Sequence, residues 1–444
     1  MSNNRKHYSK AGQKNNISGL LANKPLKVLV FGLGLNGGGA GSARFFNRQG
    51  AQVTITDLKT REALSASLAE LSSLPNIKYV LGKHRWADFK TSDLIVKNPA
   101  IPWNNPFLKK ARAQGIPITT DTILFFGQAP ALTIGITGTK GKSTIATLLT
   151  KLLKKKYPRV WLAGNIGKSF LDKLPEIKPR DVVVAELSSF QLEDLALIKK
   201  SPRIAVIANI FPDHLNRYPS FKKYAAAKAN IFRYQQPTDH LIINGRDKIS
   251  VKLAEKARSR KHFLKKAGLS PLETNLALAV LTAKILGVPQ KEIDKVLKNF
   301  RGLAGRQEII REFQNRIFIN DTAATNPTAV LIGLQSLSLK YQRPIILIAG
   351  GQDKNLNYQK MAREINKRVK RLILLPGNAT EKLKKNLNLK FREAGNMKEA
   401  VQKAYQQSNS GDLIILSPGA ASFNLFENEF DRGAQFNQYV KTLY

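Results

Sequence analysis

The run Gly135-Ile136-Thr137-Gly138-Thr139-Lys140-Gly141-Lys142-Ser143-Thr144 carries the residues best suited to hold a polyanion. It follows the apolar stretch Ala131-Leu132-Thr133-Ile134 and precedes Ile145-Ala146-Thr147-Leu148-Leu149, so a buried strand turns through glycines into a helix. Glycines let successive backbone N–H groups converge on one anion, and the helix N-terminus adds positive partial charge. Lys142 supplies a formal charge, and the hydroxyl of Ser143 or Thr144 can ligate Mg²⁺. This predicts binding of a nucleoside triphosphate. Five residues separate Gly135 from Gly141, where the generic P-loop has about four, so the loop is a variant.

Other polar clusters follow short apolar runs. Arg159-Val160-Trp161-Leu162 leads to Gly164-Asn165-Ile166-Gly167, and Asp181-Val182-Val183-Val184-Ala185 leads to Glu186-Leu187-Ser188-Ser189-Phe190-Gln191. Arg203-Ile204-Ala205-Val206-Ile207-Ala208 leads to Asn209-Ile210-Phe211-Pro212-Asp213-His214. Short apolar runs separated by helices predict a parallel sheet covered on both faces, with the chemistry along one shared edge. Taken alone, Glu186 could equally be a solvated loop acid, Lys228 an exposed lysine and His214 a capping histidine.

These runs define a central segment, 121–302, flanked by two others. In the first, 25–120, Lys27-Val28-Leu29-Val30-Phe31 runs into Gly32-Leu33-Gly34-Leu35-Asn36-Gly37 and then to Gln52-Val53-Thr54-Ile55-Thr56-Asp57. This is a βαβ unit with a GxGxxG turn and an acid closing its second strand, which fits a nucleotide-type ligand or simply a tight strand-to-helix crossing. A later strand, Asp93-Leu94-Ile95-Val96-Lys97, enters the rigid loop Asn98-Pro99-Ala100-Ile101-Pro102. The last segment, 303–444, repeats the alternation: Arg316-Ile317-Phe318-Ile319 before Asn320-Asp321, Pro344 to Ile348 before Gly350-Gly351-Gln352-Asp353-Lys354, Arg371 to Leu375, and Asp412 to Leu416 before Ser417-Pro418-Gly419. The expected class is α/β in three domains: Rossmann-like, P-loop ATPase-type parallel sheet, Rossmann-like. Residues 1–24 are expected to be a disordered basic tail.

The 444 residues, 43% of them hydrophobic, can bury two or three cores of ordinary size. No window resembles a membrane span and the start lacks a signal-peptide core, so a cytoplasmic protein is expected. The absence of cysteine excludes disulfides, zinc–thiolate sites and thiol nucleophiles. The formal charge is +41, yet the basic residues are scattered at helical spacing opposite apolar ones, as in Lys154-Lys155-Lys156 and Lys360 to Arg371. That is the pattern of solvated helix faces, so nucleic acid is not the expected partner.

Gly138 to Ser143, Gly164 to Gly167, Glu186 to Glu193, Asp213-His214, Tyr224 to Lys228, Gly305-Arg306 and Asn320-Asp321 together resemble the Mur ligases of peptidoglycan synthesis, over about residues 25 to 444. Within that family the opening Gly32 to Gly37, the pair Asp353-Lys354, and Ser417 to Phe423 with Asp431-Arg432-Gly433 look most like its D-glutamate-adding members. The resemblance implies an ADP-forming ligase that uses ATP to turn the L-alanyl carboxylate of UDP-N-acetylmuramoyl-L-alanine into an acyl phosphate, then joins it to D-glutamate. It implies that Gly138, Thr139, Lys140, Gly141, Lys142, Ser143 and Thr144 hold the triphosphate, and that Asn275, Arg306 and Asp321 contact the adenosine part. Ser143 and Glu186 would hold one Mg²⁺; His214 and Lys228, the lysine carried as a carbamate, would hold a second. Lys142, His214 and Lys228 are the implied catalytic set. Leu35, Asn36, Asp57 and Lys59 would contact the UDP part, Asn165 the substrate nearer the chemistry, and Thr325, Lys354, Ser422 and Phe423 the D-glutamate. A monomer acting on small molecules is expected.

Several positions depart from the family pattern. Gly305 stands where a histidine is usual, Ala323 where a lysine is usual, Pro271-Leu272 where a His-Asn pair is usual, and Glu429 near an expected phenylalanine. The short stretch from Asn244 to Asn275 implies a trimmed central domain. The neighbouring readings are a Mur-type ligase with another acceptor amino acid and a folylpolyglutamate-synthase-like ligase, although the leading GxGxxG segment argues against the latter. More distant are a nucleotide-dependent nucleic-acid-binding protein and a simple oxidoreductase, which would leave the phosphate loop unexplained.

Overall fold

The computed structural model describes residues 25–443 apart from 36, 167–168, 266–269, 301 and 423–424. The basic tail predicted for 1–24 lies outside the described residues. Three sheets follow one another along the chain. The first holds β1 (Lys27–Phe31), β2 (Gln52–Asp57), β3 (Ile77–Leu81), β4 (Leu94–Lys97) and β5 (Ile118–Thr119) in the order β3-β2-β1-β4-β5, all parallel. The second holds β6 (Leu132–Thr137), β7 (Val160–Gly164), β8 (Val182–Glu186), β9 (Ile204–Ile207), β10 (His240–Asn244) and β11 (Arg260–Leu264) in the parallel order β11-β10-β9-β6-β8-β7. The third holds β12 (Glu308–Phe313), β13 (Arg316–Asn320), β14 (Ile345–Gly350), β15 (Val369–Leu375), β16 (Phe391–Glu393) and β17 (Leu413–Leu416) in the order β12-β13-β17-β14-β15-β16, with β12 alone antiparallel.

The central strands are runs such as Val-Val-Val-Ala-Glu in β8, buried at every residue, because helices cover both faces. Six strands were not anticipated, namely β3, β5, β10, β11, β12 and β16. β11 reads Arg-Lys-His-Phe-Leu and is largely exposed, so it carries no apolar run to announce it. β12 is likewise a half-exposed edge strand, and β16 has only three residues. The short stretch after Asn244 therefore still supplies β11, and the central sheet reaches six strands. Each sheet has a switch point where strand order reverses, and the segments after β6, β9 and β13 line one cleft.

The first two sheets share one apolar cluster: Val30, Val96, Phe125, Phe170, Val183 and Tyr224 belong to it together, with Phe125 and Phe170 stacked at 4.6 Å. The third sheet buries its faces in clusters of its own. Polar links reinforce the first boundary. Lys97 and Asp194 form a fully buried ion pair at 3.4 Å, Trp103 Nε1 donates to Asp194 at 2.8 Å, and the Lys97 ammonium lies 4.6 Å from the centre of the Trp103 ring. Arg44 grips Asp172 through two hydrogen bonds of 2.9 and 2.6 Å.

Removing one member of a buried pair strands the other, so Lys97→Met lowers the unfolding free energy by about 3–5 kcal/mol. Lys97→Met combined with Asp194→Leu recovers much of that loss, and chemical denaturation reads both variants. A Lys97→Met protein as stable as wild type would remove the pair from the list of contacts that hold the boundary.

Candidate active site

Strand β6 ends at Thr137, and the chain then passes through Gly138 to Gly141 before the helix Lys142–Leu153 starts. Gly141 has φ +87°, a conformation that favours glycine, and a Cβ there would lie 2.3 Å from the Asn275 side chain. The loop needs glycine for both reasons. Its ammonium groups are enclosed but hold no carboxylate directly: Lys142 Nζ donates to the carbonyls of Gly138 (3.0 Å) and Thr139 (3.2 Å). Lys228 Nζ, on the helix Phe221–Lys228, donates to the same Gly138 carbonyl at 2.9 Å. Lys228 is only 2% exposed, so it is no ordinary surface lysine.

Burial depresses the pKa of both lysines, and the neighbouring Lys142 charge pushes Lys228 further, leaving it well below the ordinary lysine range. Burial thus weights Lys228 toward the uncharged amine. His214 is held down to about 4, by burial first, against the pull of Asp213, with Lys354 and Lys228 adding to the fall. The imidazole is neutral at ordinary pH. The His214 backbone sits at φ +53°, outside the comfortable region for a histidine, and the Asp213 carboxylate accepts its N–H at 2.9 Å.

Glu186 is the last residue of β8 and 1% exposed, which overturns the alternative of a solvated loop acid. Asn165 donates to Glu186 Oε1 at 3.1 Å, while Oε2 is buried without a partner. Asn165 thus orients Glu186. Ser143 Oγ, also buried, accepts from Arg306 Nη2 at 2.9 Å. Among the described residues no three of His, Asp and Glu converge into a ready-made metal cage. The orphaned Glu186 carboxylate oxygen and the Ser143 hydroxyl are nevertheless oxygen donors of the kind a hard cation takes.

An open cleft of about 740 Å³ lies beside the loop, lined in part by Gly141, Asn275, Arg306, Asp321 and Gly333. Asn275, Arg306 and Asp321 are therefore brought together as the sequence implied. The Arg306 guanidinium reaches toward the phosphate loop, however, rather than only along the cleft. Gly305, in place of the usual histidine, has φ +68°, and a Cβ there would sit 2.8 Å from Thr322 Cγ2, so that departure is built into the backbone.

The third lobe closes over the loop. Lys140 Nζ donates to the Ala323 carbonyl (2.7 Å) and Thr325 Oγ1 (2.9 Å), and Asn326 donates to Asp213 at 3.2 Å. Lys354 Nζ lies 3.6 Å from Asp213 and donates to Thr325 Oγ1 at 3.3 Å. Burial raises the Asp213 carboxyl, but Lys354, His214 and Lys140 outweigh it and hold the group well below the usual carboxylate range. Ser422 is 1% exposed and its hydroxyl has no partner. Phe423 and Asn36 lie outside the described residues. At the first sheet, Asp57 accepts from Gly34 N–H (3.0 Å) and Lys59 N–H (2.9 Å), Leu35 is half-buried and Lys59 exposed. Asp57 therefore shapes the glycine turn.

Two residues escaped sequence reasoning. Asn209 holds the Lys140 backbone on both sides, accepting its N–H at 3.0 Å and donating to its carbonyl at 3.1 Å. Arg432, fully buried, donates to Thr322 Oγ1 (3.0 Å), Thr322 O (2.9 Å) and Ala420 O (3.1 Å), clamping the loop after β13 to the loop after β17. Asn209 stood within a quoted polar cluster and Arg432 within Asp431-Arg432-Gly433, but spacing alone gave neither a role.

Family models match the chain in order: the Mur ligase MurD-like N-terminal domain over residues 26–120, the Mur ligase middle domain over 136–288, and the Mur ligase glutamate ligase domain over 305–419. The UDP-N-acetylmuramoylalanine--D-glutamate ligases of Roseiflexus sp. (strain RS-1) and Borreliella burgdorferi (strain ZS7) are 37% and 36% identical to this chain, over 94% and 95% of it and 98% of each relative. Among solved structures, UDP-N-acetylmuramate-alanine ligase MurC from Thermotoga maritima aligns with a TM-score of 0.62 at 18% identity, covering 94% of this chain and 99% of that one. MurF ligase from Thermotoga maritima in complex with ADP aligns at 0.61 and 14% identity, covering 94% and 96%. At those identities the two structures speak to the fold alone. No helix among the described residues is long and apolar enough to cross a membrane.

Burial pushes the Asp321 carboxyl up to about 6, opposed by the Ser417 hydroxyl (2.9 Å) and by Lys140. Between the ordinary value of about 4 and that pKa, the folded state keeps a proton that the unfolded state has released, so stability falls as pH rises through the window. Unfolding free energies of nucleotide-free protein from pH 4 to 6.5 will decline more steeply for wild type than for Asp321→Asn, by up to about 3 kcal/mol. Parallel profiles would show that the carboxyl is not raised.

Proposed function

The chain belongs to the Mur ligase family, and from that premise we propose that it is the ATP-dependent ligase that adds D-glutamate to UDP-N-acetylmuramoyl-L-alanine in peptidoglycan precursor synthesis. The MurD-like N-terminal match over 26–120 supports this over a folate-type ligase. The single observation that carries the chemistry is the Lys228 amine, buried beside Lys142 and sharing the Gly138 carbonyl with it.

A carboxylate is a poor electrophile toward an amine. Its oxygen attacks the γ-phosphorus of ATP, ADP leaves, and the resulting acyl phosphate carries a good leaving group. The D-glutamate amine then adds to the carbonyl carbon, the tetrahedral adduct expels phosphate, and the nitrogen loses its proton to leave an amide. Most of what the protein supplies is position and positive charge. Lys142 and the first-turn N–H groups of its helix face the β- and γ-phosphates. Asn165 orients Glu186, and Arg306 holds Ser143. Asn275 and Asp321 line the cleft assigned to adenosine; Leu35, Asn36, Asp57 and Lys59 are assigned to UDP; Thr325, Lys354, Ser422 and Phe423 are assigned to D-glutamate.

Ser143 with Glu186, and His214 with Lys228, are the residues we assign to two Mg²⁺ ions, which when bound neutralise phosphate charge. An ammonium cannot ligate Mg²⁺. In its uncharged form the Lys228 amine can react with CO₂, forming an N–C bond and releasing one proton, which would turn it into an anionic oxygen ligand. The three consecutive units bounded near 25–120, 121–302 and 303–444 then carry UDP-substrate, ATP and amino-acid sites. We place the enzyme in the cytoplasm as a monomer.

The decisive assay measures ADP release across a panel of amino acids. Turnover is expected only with UDP-N-acetylmuramoyl-L-alanine and D-glutamate together; robust turnover with L-lysine or meso-diaminopimelate would replace the acceptor, a reading kept alive by Gly305, Ala323, Leu272 and Glu429. Lys228→Ala is expected to lose nearly all activity and to recover part of it with short carboxylic acids. Wild-type rates in that variant would remove the carbamate role.

A further inference from the structure

Lys140 belongs to the phosphate loop by sequence, yet its side chain leaves that loop. Asn209 pins its backbone N–H and carbonyl at 3.0 and 3.1 Å, and the ammonium crosses to the third lobe, 2.7 Å from the Ala323 carbonyl and 2.9 Å from Thr325 Oγ1. Lys354 reaches the same hydroxyl at 3.3 Å from the far side. With both oxygen lone pairs of Thr325 taken by ammonium donors, its own O–H is left to donate outward. Two cations and one hydroxyl donor therefore converge on a single point. The nearest carboxylate, Asp213, already bonds Asn326 and the His214 N–H, and lies 3.6 Å from Lys354. Ala323, whose carbonyl Lys140 holds, stands where the family usually carries a lysine.

We propose that Lys140 supplies the ammonium that residue 323 lacks and, with Lys354 and Thr325, binds the side-chain carboxylate of the incoming acidic amino acid. This inference rests on the reading of the protein as a D-glutamate-adding ligase and adds a specificity-determining residue to it. The amino-acid site is then shared between lobes: one of its cations rides on the loop that holds the triphosphate. Burial, reinforced by Lys354, Arg306 and Lys142 and resisted by Asp213, brings the empty-site lysine to about 7, so a bound carboxylate would restore its full charge.

Lys140→Gln tests the assignment. In steady state with the other two substrates saturating, the KM for D-glutamate is expected to rise at least tenfold, while the Kd for Mg-ATP, titrated without amino acid, moves less than threefold. Lys140→Gln combined with Ala323→Lys, which returns an ammonium from the other side, is expected to bring the KM back to within about threefold of wild type. A Lys140→Gln protein that loses ATP affinity as much as D-glutamate affinity overturns the proposal, because the lysine is then a phosphate ligand. So does an unchanged KM, or a double variant with no recovery. Wild-type protein that turns over no D-glutamate at all instead defeats the underlying function.

Discussion

Positive charge enclosed without a matching number of anions is the constraint on which the site depends. Lys142 and Lys228 converge on one carbonyl, Gly138 O, at 3.0 and 2.9 Å. Lys140, Arg306 and Lys354 stand around them, against the three carboxyls of Glu186, Asp213 and Asp321. Charges in a poorly solvated pocket are costly unless paired. A polyanion relieves that cost. The same crowding, with burial, lowers the pKa of Lys142 and Lys228.

That crowding requires backbone held in place from outside. Arg432 does so for the third lobe: its guanidinium, fully buried, makes three hydrogen bonds to the Thr322 hydroxyl and carbonyl and to the Ala420 carbonyl. Asp321 and Thr325 ride on one of the joined loops and Ser422 on the other. Burial lowers the arginine to about 10, still charged at neutral pH. Asn209 plays the corresponding part in the central lobe, where a neutral amide fixes Lys140 without adding charge.

Much of this was legible in the amino acids. The glycine-rich loop, the polar clusters after apolar strands and the three-part α/β order are local patterns, and local patterns survive in sequence. What escaped is non-local or lacks an apolar signature. The edge strand Arg260–Leu264 pairs through its backbone and a His240–His262 contact, so its charged residues gave no sign of it. The direction of the Lys140 side chain depends on a loop 183 residues away. Glu186 ends a strand rather than starting a loop, because Asn165 and the surrounding core bury it. The scattered basic residues do include solvated faces, as at exposed Lys154, Lys155 and Lys156.

The apolar cluster common to the first two sheets has a mechanical meaning. Two sheets that share a core rotate only by opening it, whereas the third keeps its own cores and meets the central segment through Leu215 and through polar contacts such as Lys140 to Ala323 and Arg306 to Ser143. The chain between the stiff pair and the third lobe leaves the helix Gln290–Asn299 and passes Gly302 at φ +87°, so the connection itself adds little to hold the third lobe in register.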